Sequence, residues 1–269
     1  MTAKFTFAYP DFFEKEAYPA FEKFWEVANR LFDALSLFTL DAGKPKEKHH
    51  FFIRSLCMMT GMSLHDVALL VGNGCGLSAV RIARTALESA INAEYLRLNP
   101  AECKDYLNWS HIEQHRKLKY MQAHNPTEFA RLSPERVAEN EKLYRRAIRS
   151  NFLSPNGKQR QSWCKFNLRE RAEKTSFDDM YNTFYGVSSE LMHGSFGGLA
   201  HHMESSTEGA WQPAVQPSMT GCSFALQVAH YCAFRALQTL VEMNGTDSTP
   251  PILDLKADYD CAWDEGHQP

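Results

Sequence analysis

Apolar residues recur along most of the chain every three to four positions, the spacing that places them on one face of an α-helix. From about Asp11 to Leu40 this period predicts a first amphipathic helix, which Pro19 starts or breaks. A second predicted helix runs from about Glu47 to Val71 and ends at the glycine-rich sequence GNGCG. No alternating pattern is long enough to predict a sheet, so the fold class indicated is all-α.

Five more helices follow from the same period. The third is the clearest: it is rich in Ala and Leu and stops at Asn99-Pro100, where the residue before a proline disfavours the helical conformation. The fifth opens at Ser133, a good N-cap with Pro134 in the first turn. The predicted ranges are about 77–98, 101–124, 133–150, 176–193 and 221–243.

The predicted organisation is a single-domain helical bundle of about seven helices over residues 1–244, followed by an acidic C-terminal tail over 245–269. A long loop precedes the last helix and opens with Gly194, Gly197 and Gly198. Loops of this length in a compact domain are often functional or mobile. We therefore interpret the glycines as the end of the sixth helix and the start of a possible lid.

Composition narrows the function classes. The 269 residues carry a net charge of −3 and a pI of about 6.4, which argues against a generally basic surface for nucleic acid or membrane, although an acidic body can carry a local basic groove. The seven cysteines form no CxxC pair. The N-terminus does not resemble a signal peptide, and no stretch approaches the roughly 20 apolar residues of a membrane span. We expect a cytoplasmic protein with free thiols.

The third predicted helix is apolar around most of its circumference, which is typical of a central helix, yet it carries a polar stripe. The stripe residues follow one another at intervals of three, four and four, so they share one face: Arg81, Arg84, Glu88 and Asn92. One interpretation is an internal Arg–Glu network that fixes helix register. The other is a pocket in which the arginines bind an anion.

Gly74 and Gly76, in GNGCG, lie immediately before this helix. A glycine-rich turn at a helix N-terminus can present backbone N–H groups to a phosphate, so both are candidate ligand-binding residues. The turn lacks the Lys-Ser/Thr of a P-loop and follows no strand. A tight turn between two helices is the simpler interpretation.

Glu190 and His193, in the sequence SSELMHGSFGGLAHHM, lie three residues apart on the sixth predicted helix. His193 suits a general acid–base whose tautomer Glu190 or Glu88 would set. Ser189 and Ser195 are candidate ligand-binding residues or nucleophiles beside that histidine. His201 and His202, in the loop, are bystanders unless the loop folds back.

Three other patterns permit metal or nucleic-acid chemistry. Glu-x-x-His, as in Glu190 and His193, is half of a helical-bundle dimetal site, and Glu47 with His50 supplies a second copy. The sequence HIEQH places two histidines at the i, i+4 spacing that can hold a metal, but has no third ligand nearby. The sequence WCKFNLRERAEK interleaves basic and aromatic residues, as single-strand-binding segments do, although a solvated amphipathic segment is the more common explanation.

SAVRIARTALESAINAEYL, paired with the later YGVSSELMHGS, resembles a bacterial all-helical family of unknown function. That family shows an Arg-x6-Glu helix and a Ser-Glu-x-x-His-Gly/Pro-Ser segment, and the match covers about Leu69 to Ser195. More distantly, the helical layout and helix-terminal histidine resemble HEPN domains, which include metal-independent ribonucleases of toxin–antitoxin and phage-defence systems. Their motif places an arginine four to six residues before the histidine. Here Val187, Ser188 and Ser189 stand there, so the arginine would come from another helix.

Three functions fit these residues. In the first, a HEPN-like endoribonuclease or RNA-processing effector, His193 is the general acid–base, Arg81 and Arg84 stabilise the phosphorane, and Glu88 or Glu190 orients them. It needs no metal or cofactor. We expect an RNA or nucleotide ligand, a homodimer or an antitoxin-type protein partner, and no membrane. The second function is a dimetal-carboxylate enzyme, and the third a non-catalytic anion- or nucleotide-binding sensor.

Overall fold

The computed structural model describes residues 6–40, 47–153, 159–192, 196–200, 203–205, 211–213, 216–245 and 249–263. The prediction of an all-α fold is confirmed, with more helices than the expected seven. The first predicted helix is divided near Pro19: short helical pieces precede Phe21, and a 19-residue helix follows it. The predicted loop regions contain further short helices.

The helices, in chain order, are bounded as follows: α1 Pro10–Phe12, a π-helical turn Phe13–Ala17, α2 Tyr18–Ala20, α3 Glu22–Leu40, α4 Lys48–Gly72, α5 Gly76–Leu98, a 3₁₀ turn Pro100–Glu102, α6 Cys103–His124, α7 Pro126–Ala130, α8 Pro134–Asn151, α9 Leu168–Lys174, α10 Asp178–Met192, α11 Phe196–Ala200, α12 Cys222–Asn244 and α13 Thr249–Trp263. The long connection before α12 contains two short antiparallel strands, β1 Met203–Ser205 and β2 Trp211–Pro213, with Glu204 opposite Gln212.

The chain divides into two compact units where the sequence predicted one domain. The first unit combines residues 1–97 with 168–269, and the second is the continuous stretch 98–167. The boundary is hard to foresee because α5 ends one residue beyond it, at Leu98, and the chain re-enters the first unit at the start of α9.

In the first unit, α12 packs on α4 and α3, and α13 packs on α3 and α12. As predicted for a central helix, α5 is buried along most of its length. Its last two turns are tied to α12 by Glu94, which accepts a hydrogen bond from Thr239 Oγ1 at 3.0 Å and from Arg97 Nη2 at 2.7 Å. Arg97 also pairs with Glu242 at 2.7 Å.

Most of the predicted acidic tail is α13. Leu255 and Ala262 on this helix are buried, and Trp263 Nε1 donates a hydrogen bond to Nδ1 of His230 on α12 at 2.9 Å. The tail is therefore largely a docked helix, held by buried apolar side chains, by this hydrogen bond and by an ion pair between Asp258 and Arg30 of α3. Thr249-Pro250-Pro251 begins the helix because proline is tolerated in a first turn.

The second unit is built on an antiparallel pair of long helices, α6 and α8, which pack together with α7 between them in the chain. Ser133 is the N-cap of α8, as predicted, and its Oγ accepts a hydrogen bond from the amide of Arg136 at 3.2 Å. Asn125 caps α7 in the same way through the amide of Glu128. After α8 the chain folds back, and Arg160 N bonds to Phe152 O at 2.9 Å.

All seven cysteines are unpaired, as the sequence predicted. The expectation that no segment approaches membrane length needs correction. Among the described residues, the helix His49–Gly72 meets the length and composition of a membrane span, and 56% of its most apolar window is buried inside the protein. A buried core helix passes the same test, so the finding is weak evidence for a membrane.

Candidate functional site

The polar stripe on α5 faces α9 and α10. Arg81 and Arg84 contact residues of α10, and Asn92, two turns further along, contacts α9. Since the stripe repeats at three and four residues, its members lie on one side of α5 and meet the same neighbouring segment. The sequence predicted this shared face, and the contacts identify what lies against it.

Arg84 is the most constrained member of the stripe. Its Nε donates to Glu88 Oε1 at 3.0 Å and its Nη2 donates to the hydroxyl oxygen of Tyr185 at 2.5 Å. The guanidinium carbon also lies 4.1 Å from the centre of the Tyr185 ring. Nη1 is buried and has no hydrogen-bond partner within the described part of the chain. One donor of a charged group is thus left over, which is costly unless a ligand uses it.

The pair of Arg84 and Glu88 lies at the edge of solvent. The Arg84 side chain is 11% exposed and the Glu88 side chain 40% exposed. An internal Arg–Glu network, one of the two interpretations of the stripe, is therefore present in part. It reaches the surface through the Glu88 carboxylate instead of closing inside the bundle.

Arg81 binds the end of α10. Its Nε donates to the carbonyl oxygen of Leu191 at 3.1 Å. The last carbonyls of a helix lack intrahelical partners and carry the negative end of the helix dipole, so a cation there is favourable. Leu191 stands two residues before His193 in the chain. Arg81 of α5 is therefore held at the end of the helix that precedes His193 in the sequence.

Asn92 completes the contacts of the stripe. Its Oδ1 accepts a short hydrogen bond from Nη1 of Arg171 on α9, a residue that is only 7% exposed. The sequence prediction placed Arg171 in a solvated or RNA-binding segment. The structure instead gives it a buried structural contact with a predicted site residue.

Tyr181 and Tyr185 are the site residues that the sequence analysis missed. Their rings stack with centroids 4.5 Å apart and an interplanar angle of 20°, and Arg84 lies against Tyr185. Burial raises the pKa of Tyr181, and the neighbouring Tyr185 raises it further, so its phenol stays protonated. The i, i+4 spacing of the two tyrosines in YNTFY was the available signal.

The other predicted residues of this segment are less well placed. On α10, Ser189 is half-buried and Glu190 is exposed. His193, Ser195, His201 and His202 lie outside the described residues. Gly198 belongs to α11, where an added Cβ would stand 2.4 Å from the carbonyl oxygen of Glu190. This glycine lets α11 pack against the end of α10.

Gly74 and Gly76 pack against the segment that leads into α12. Gly74 has φ +70, and its carbonyl oxygen accepts a hydrogen bond from Ser218 N at 3.0 Å. A Cβ at Gly76 would stand 2.3 Å from the carbonyl oxygen of Thr220. Close backbone approach accounts for both glycines, and their role in ligand binding stays a prediction.

Within the described ranges, no group of three or more His, Cys, Asp or Glu residues is placed to hold a metal ion. Glu47 of the second Glu-x-x-His pairs with His49, at 3.2 Å from Nδ1 to Oε2. In HIEQH, His115 contacts Glu141 at 3.3 Å and stacks on Tyr144. The described geometry therefore adds nothing to the dimetal alternative.

Comparison with known proteins gives one match. The model of a family described as a family of unknown function (DUF5677) matches residues 50–210, more than half of the chain. The search of curated proteins and the search of solved structures gave no match. The resemblance that SAVRIARTALESAINAEYL and YGVSSELMHGS carried is thus confirmed as an all-helical family of unknown function.

Proposed function

Because the chain belongs to DUF5677, a family of unknown function, we propose its activity from the site itself: it is a metal-independent endoribonuclease of HEPN-like type. Arg81, Arg84 and Glu88 on α5 act together with His193, which follows the end of α10. The biological setting that fits such an enzyme is a toxin or phage-defence system.

The chemistry is an internal transfer of the phosphoryl group. The 2′-hydroxyl of the ribose loses its proton to a general base and attacks the adjacent phosphorus, and the 5′-oxygen leaves with a proton from a general acid. The products are a 2′,3′-cyclic phosphate and a 5′-hydroxyl. His193 is the acid–base group: its imidazole accepts the 2′-hydroxyl proton and then donates a proton to the leaving 5′-oxygen.

The arginines carry the electrostatic part of the proposal. The phosphorane gains negative charge as the 2′-oxygen attacks, and fixed guanidinium groups stabilise that charge more than the ground state. Arg84 suits this role because Glu88 and Tyr185 hold it in place while Nη1 keeps a donor without a partner in the described structure. Glu88 orients Arg84, and Glu190 is the alternative orienting group for His193.

One observation carries the proposal: both arginines of α5 reach the last turns of the helix that His193 follows. Arg84 bonds to Tyr185 and Arg81 to Leu191. In HEPN domains the arginine and the histidine lie on one helix. In this protein the arginines would come from α5 and the histidine from the position that follows α10. The stacked Tyr181 and Tyr185 add an aromatic surface of the kind on which nucleobases stack.

The test is cleavage of end-labelled RNA by the purified full chain in EDTA. We expect cleavage that EDTA leaves unchanged, products that end in a 2′,3′-cyclic phosphate, and loss of activity in His193→Ala. His124→Ala, which removes an exposed histidine from α6, is the matched control. Absence of cleavage of any RNA, inhibition by EDTA, or full activity in His193→Ala would refute the proposal.

A second candidate function has one observation in its favour. The buried Nη1 of Arg84 and the adjacent tyrosine stack also suit a non-catalytic sensor that binds a nucleotide or small anion. A ligand that binds only the native state raises the melting temperature. A nucleotide that raises it in wild type but not in Arg84→Gln, in a protein that cleaves no RNA, favours the sensor. No shift with any nucleotide or anion counts against it.

A further inference from the structure

The charge of the chain is divided unequally between its two compact units. Residues 98–167 hold 13 Lys or Arg and 7 Asp or Glu, a formal net charge of +6, whereas the rest of the chain holds 16 and 25 and carries −9. The modest overall charge of −3 therefore conceals a strongly basic unit. A basic patch on one part of a protein is the electrostatic footprint of a polyanion-binding surface.

The cations concentrate on one side of α8. Its second half presents Lys142, Arg145, Arg146 and Arg149, all exposed, which we call the α8 cation face. Ala147, on the other side, is 1% exposed, and α8 packs on α6. Four cations thus occupy about 10 Å of helix length, at a rise of about 1.5 Å per residue.

Few carboxylates oppose this face. Arg145 pairs with Glu141 at 2.8 Å and Lys142 with Glu139 at 3.4 Å. Both are exposed i, i+3 or i, i+4 pairs, which contribute about 0–1 kcal/mol and break easily when a stronger anion arrives. In the described part of the unit, Arg146 and Arg149 have no carboxylate partner. The face is therefore available to an external anion.

Two further cations lie on the described part of the segment that follows α8. The chain folds back after the helix, with Leu153 and Gln159 forming a bridge and Arg160 bonding to Phe152. This returning segment carries exposed Lys165, whose ammonium lies 4.8 Å from the centre of the Phe166 ring. It also carries half-buried Arg160, which lies 3.9 Å from the Asp105 carboxylate and donates to Trp163 O. Lys165 therefore adds an exposed positive charge to this unit, whereas Arg160 is engaged within it.

The chemistry of the face suits a phosphodiester backbone and argues against a membrane surface. Arginine presents a planar fork of donors that matches phosphate oxygens. A helix that binds a membrane places large apolar residues beside its cations. The exposed positions of α8 are instead Ala, Glu, Lys and Arg, after the initial proline, and its apolar side is used by α6.

We propose that the α8 cation face holds the backbone of single-stranded RNA. The identity of the strand rests on the proposed function, whereas the phosphate contacts rest on the charges alone. The surface lies in the unit that does not contain Arg81, Arg84 or Glu88. Binding and cleavage can therefore be tested apart.

The experiment measures binding of a labelled 2′-O-methyl RNA strand, which cannot be cleaved through a 2′-hydroxyl, to the full chain over a salt series. The variants are the triple Arg145→Gln, Arg146→Gln, Arg149→Gln and its charge-conserving counterpart with Lys at the same positions. The control triple Lys15→Gln, Lys23→Gln, Lys256→Gln removes three exposed charges from the other unit. Thermal melting checks that each variant is folded.

For wild type, the logarithm of the binding constant should fall linearly with that of the salt concentration. The Gln triple should weaken binding roughly tenfold to a hundredfold at about 0.1 M salt and reduce the slope by about 2, since each lost phosphate contact contributes about 0.7. The Lys triple and the control triple should keep the wild-type slope.

Equal slopes in the Gln and control triples would overturn the proposal. So would a Lys triple that loses as much affinity as a folded Gln triple. The proposal would also be overturned if binding of phosphatidylserine vesicles or polyglutamate depended on these arginines while binding of RNA did not. If the RNA binds as expected but is never cleaved in its 2′-hydroxyl form, the proposed function fails and this inference stands.

Discussion

The Nε of Arg81 donates a hydrogen bond to the carbonyl oxygen of Leu191 at 3.1 Å, joining the central helix α5 to the last turn of α10. This bond makes Arg81 structural as well as a candidate for catalysis. Arg81→Ala should lower the free energy of unfolding by about 1–2 kcal/mol, since a hydrogen bond from a charged group is lost. Urea denaturation measures it, with the exposed Arg146→Ala as the control. Equal stability of the two variants would show that the bond contributes nothing.

The hydroxyl of Tyr185 can be tested without its ring. Tyr185→Phe keeps the ring beneath Arg84 but removes the oxygen that accepts from Nη2. We expect a loss of about 1 kcal/mol in unfolding free energy and a larger fractional loss of RNA cleavage, because Arg84 loses an anchor. Tyr181→Phe leaves the Arg84 contacts in place and serves as the control. A Tyr185→Phe enzyme with the activity of wild type would argue against positioning by this hydroxyl.

Two glycines should respond oppositely to alanine. At Gly76 a Cβ would stand 2.3 Å from the carbonyl oxygen of Thr220, whereas at Gly186, in α10, nothing lies within 4 Å. Gly76→Ala should destabilise the protein by about 1–3 kcal/mol through overpacking. Gly186→Ala should stabilise it by about 0.5–1 kcal/mol, because alanine is the better helix former. Thermal and urea unfolding of both variants check the signs, and a stabilising Gly76→Ala would contradict the packing described.

The stability of the first unit should fall in acid because of His230. Burial lowers the pKa of this histidine to about 3, and its Nδ1 accepts a hydrogen bond from Trp263. In the unfolded chain it binds a proton below about pH 6.5. The contribution is complete above that pH and is lost as the pH falls from about 6.5 towards 3, at up to about 1.4 kcal/mol per pH unit.

The measurement is urea denaturation between about pH 7 and 5, where His230 should account for about 2 kcal/mol of lost stability. His230→Gln should flatten that dependence. His124→Gln, at an exposed position, should leave it as in wild type. Equal pH dependence in wild type and His230→Gln would refute the assignment.

The sequence predicted one half of the candidate site and left the other open. The spacing of Arg81, Arg84 and Glu88 placed them on one face of a buried helix, since helical period is a local property. Which helix packs against that face is a tertiary property, so Tyr185 and its contact with Arg84 were not foreseen. The N-cap at Ser133 was predicted because capping depends on residues next to one another in the chain.

The domain boundaries and the structure of the C-terminal tail were harder to predict, because they too depend on tertiary packing. The basic character of residues 98–167 appears only when the boundaries of the compact unit are known, because the first unit offsets it in the total. Helix α13 buries Leu255 and Ala262 but lies in a stretch rich in acidic residues. Its helical state depends on docking against α3 and α12, which local patterns do not report.

The central claim is that Arg81 and His193 act on the same phosphate. Single-turnover cleavage of RNA in EDTA by wild type, Arg81→Ala, His193→Ala and the double variant tests it directly. We expect each single variant to be slower by roughly 10²–10³, and the double variant to be slower than the worse single by less than about tenfold, because groups that act as a unit are not additive. A single variant with the wild-type rate, or a double variant in which the two losses multiply, would contradict the account.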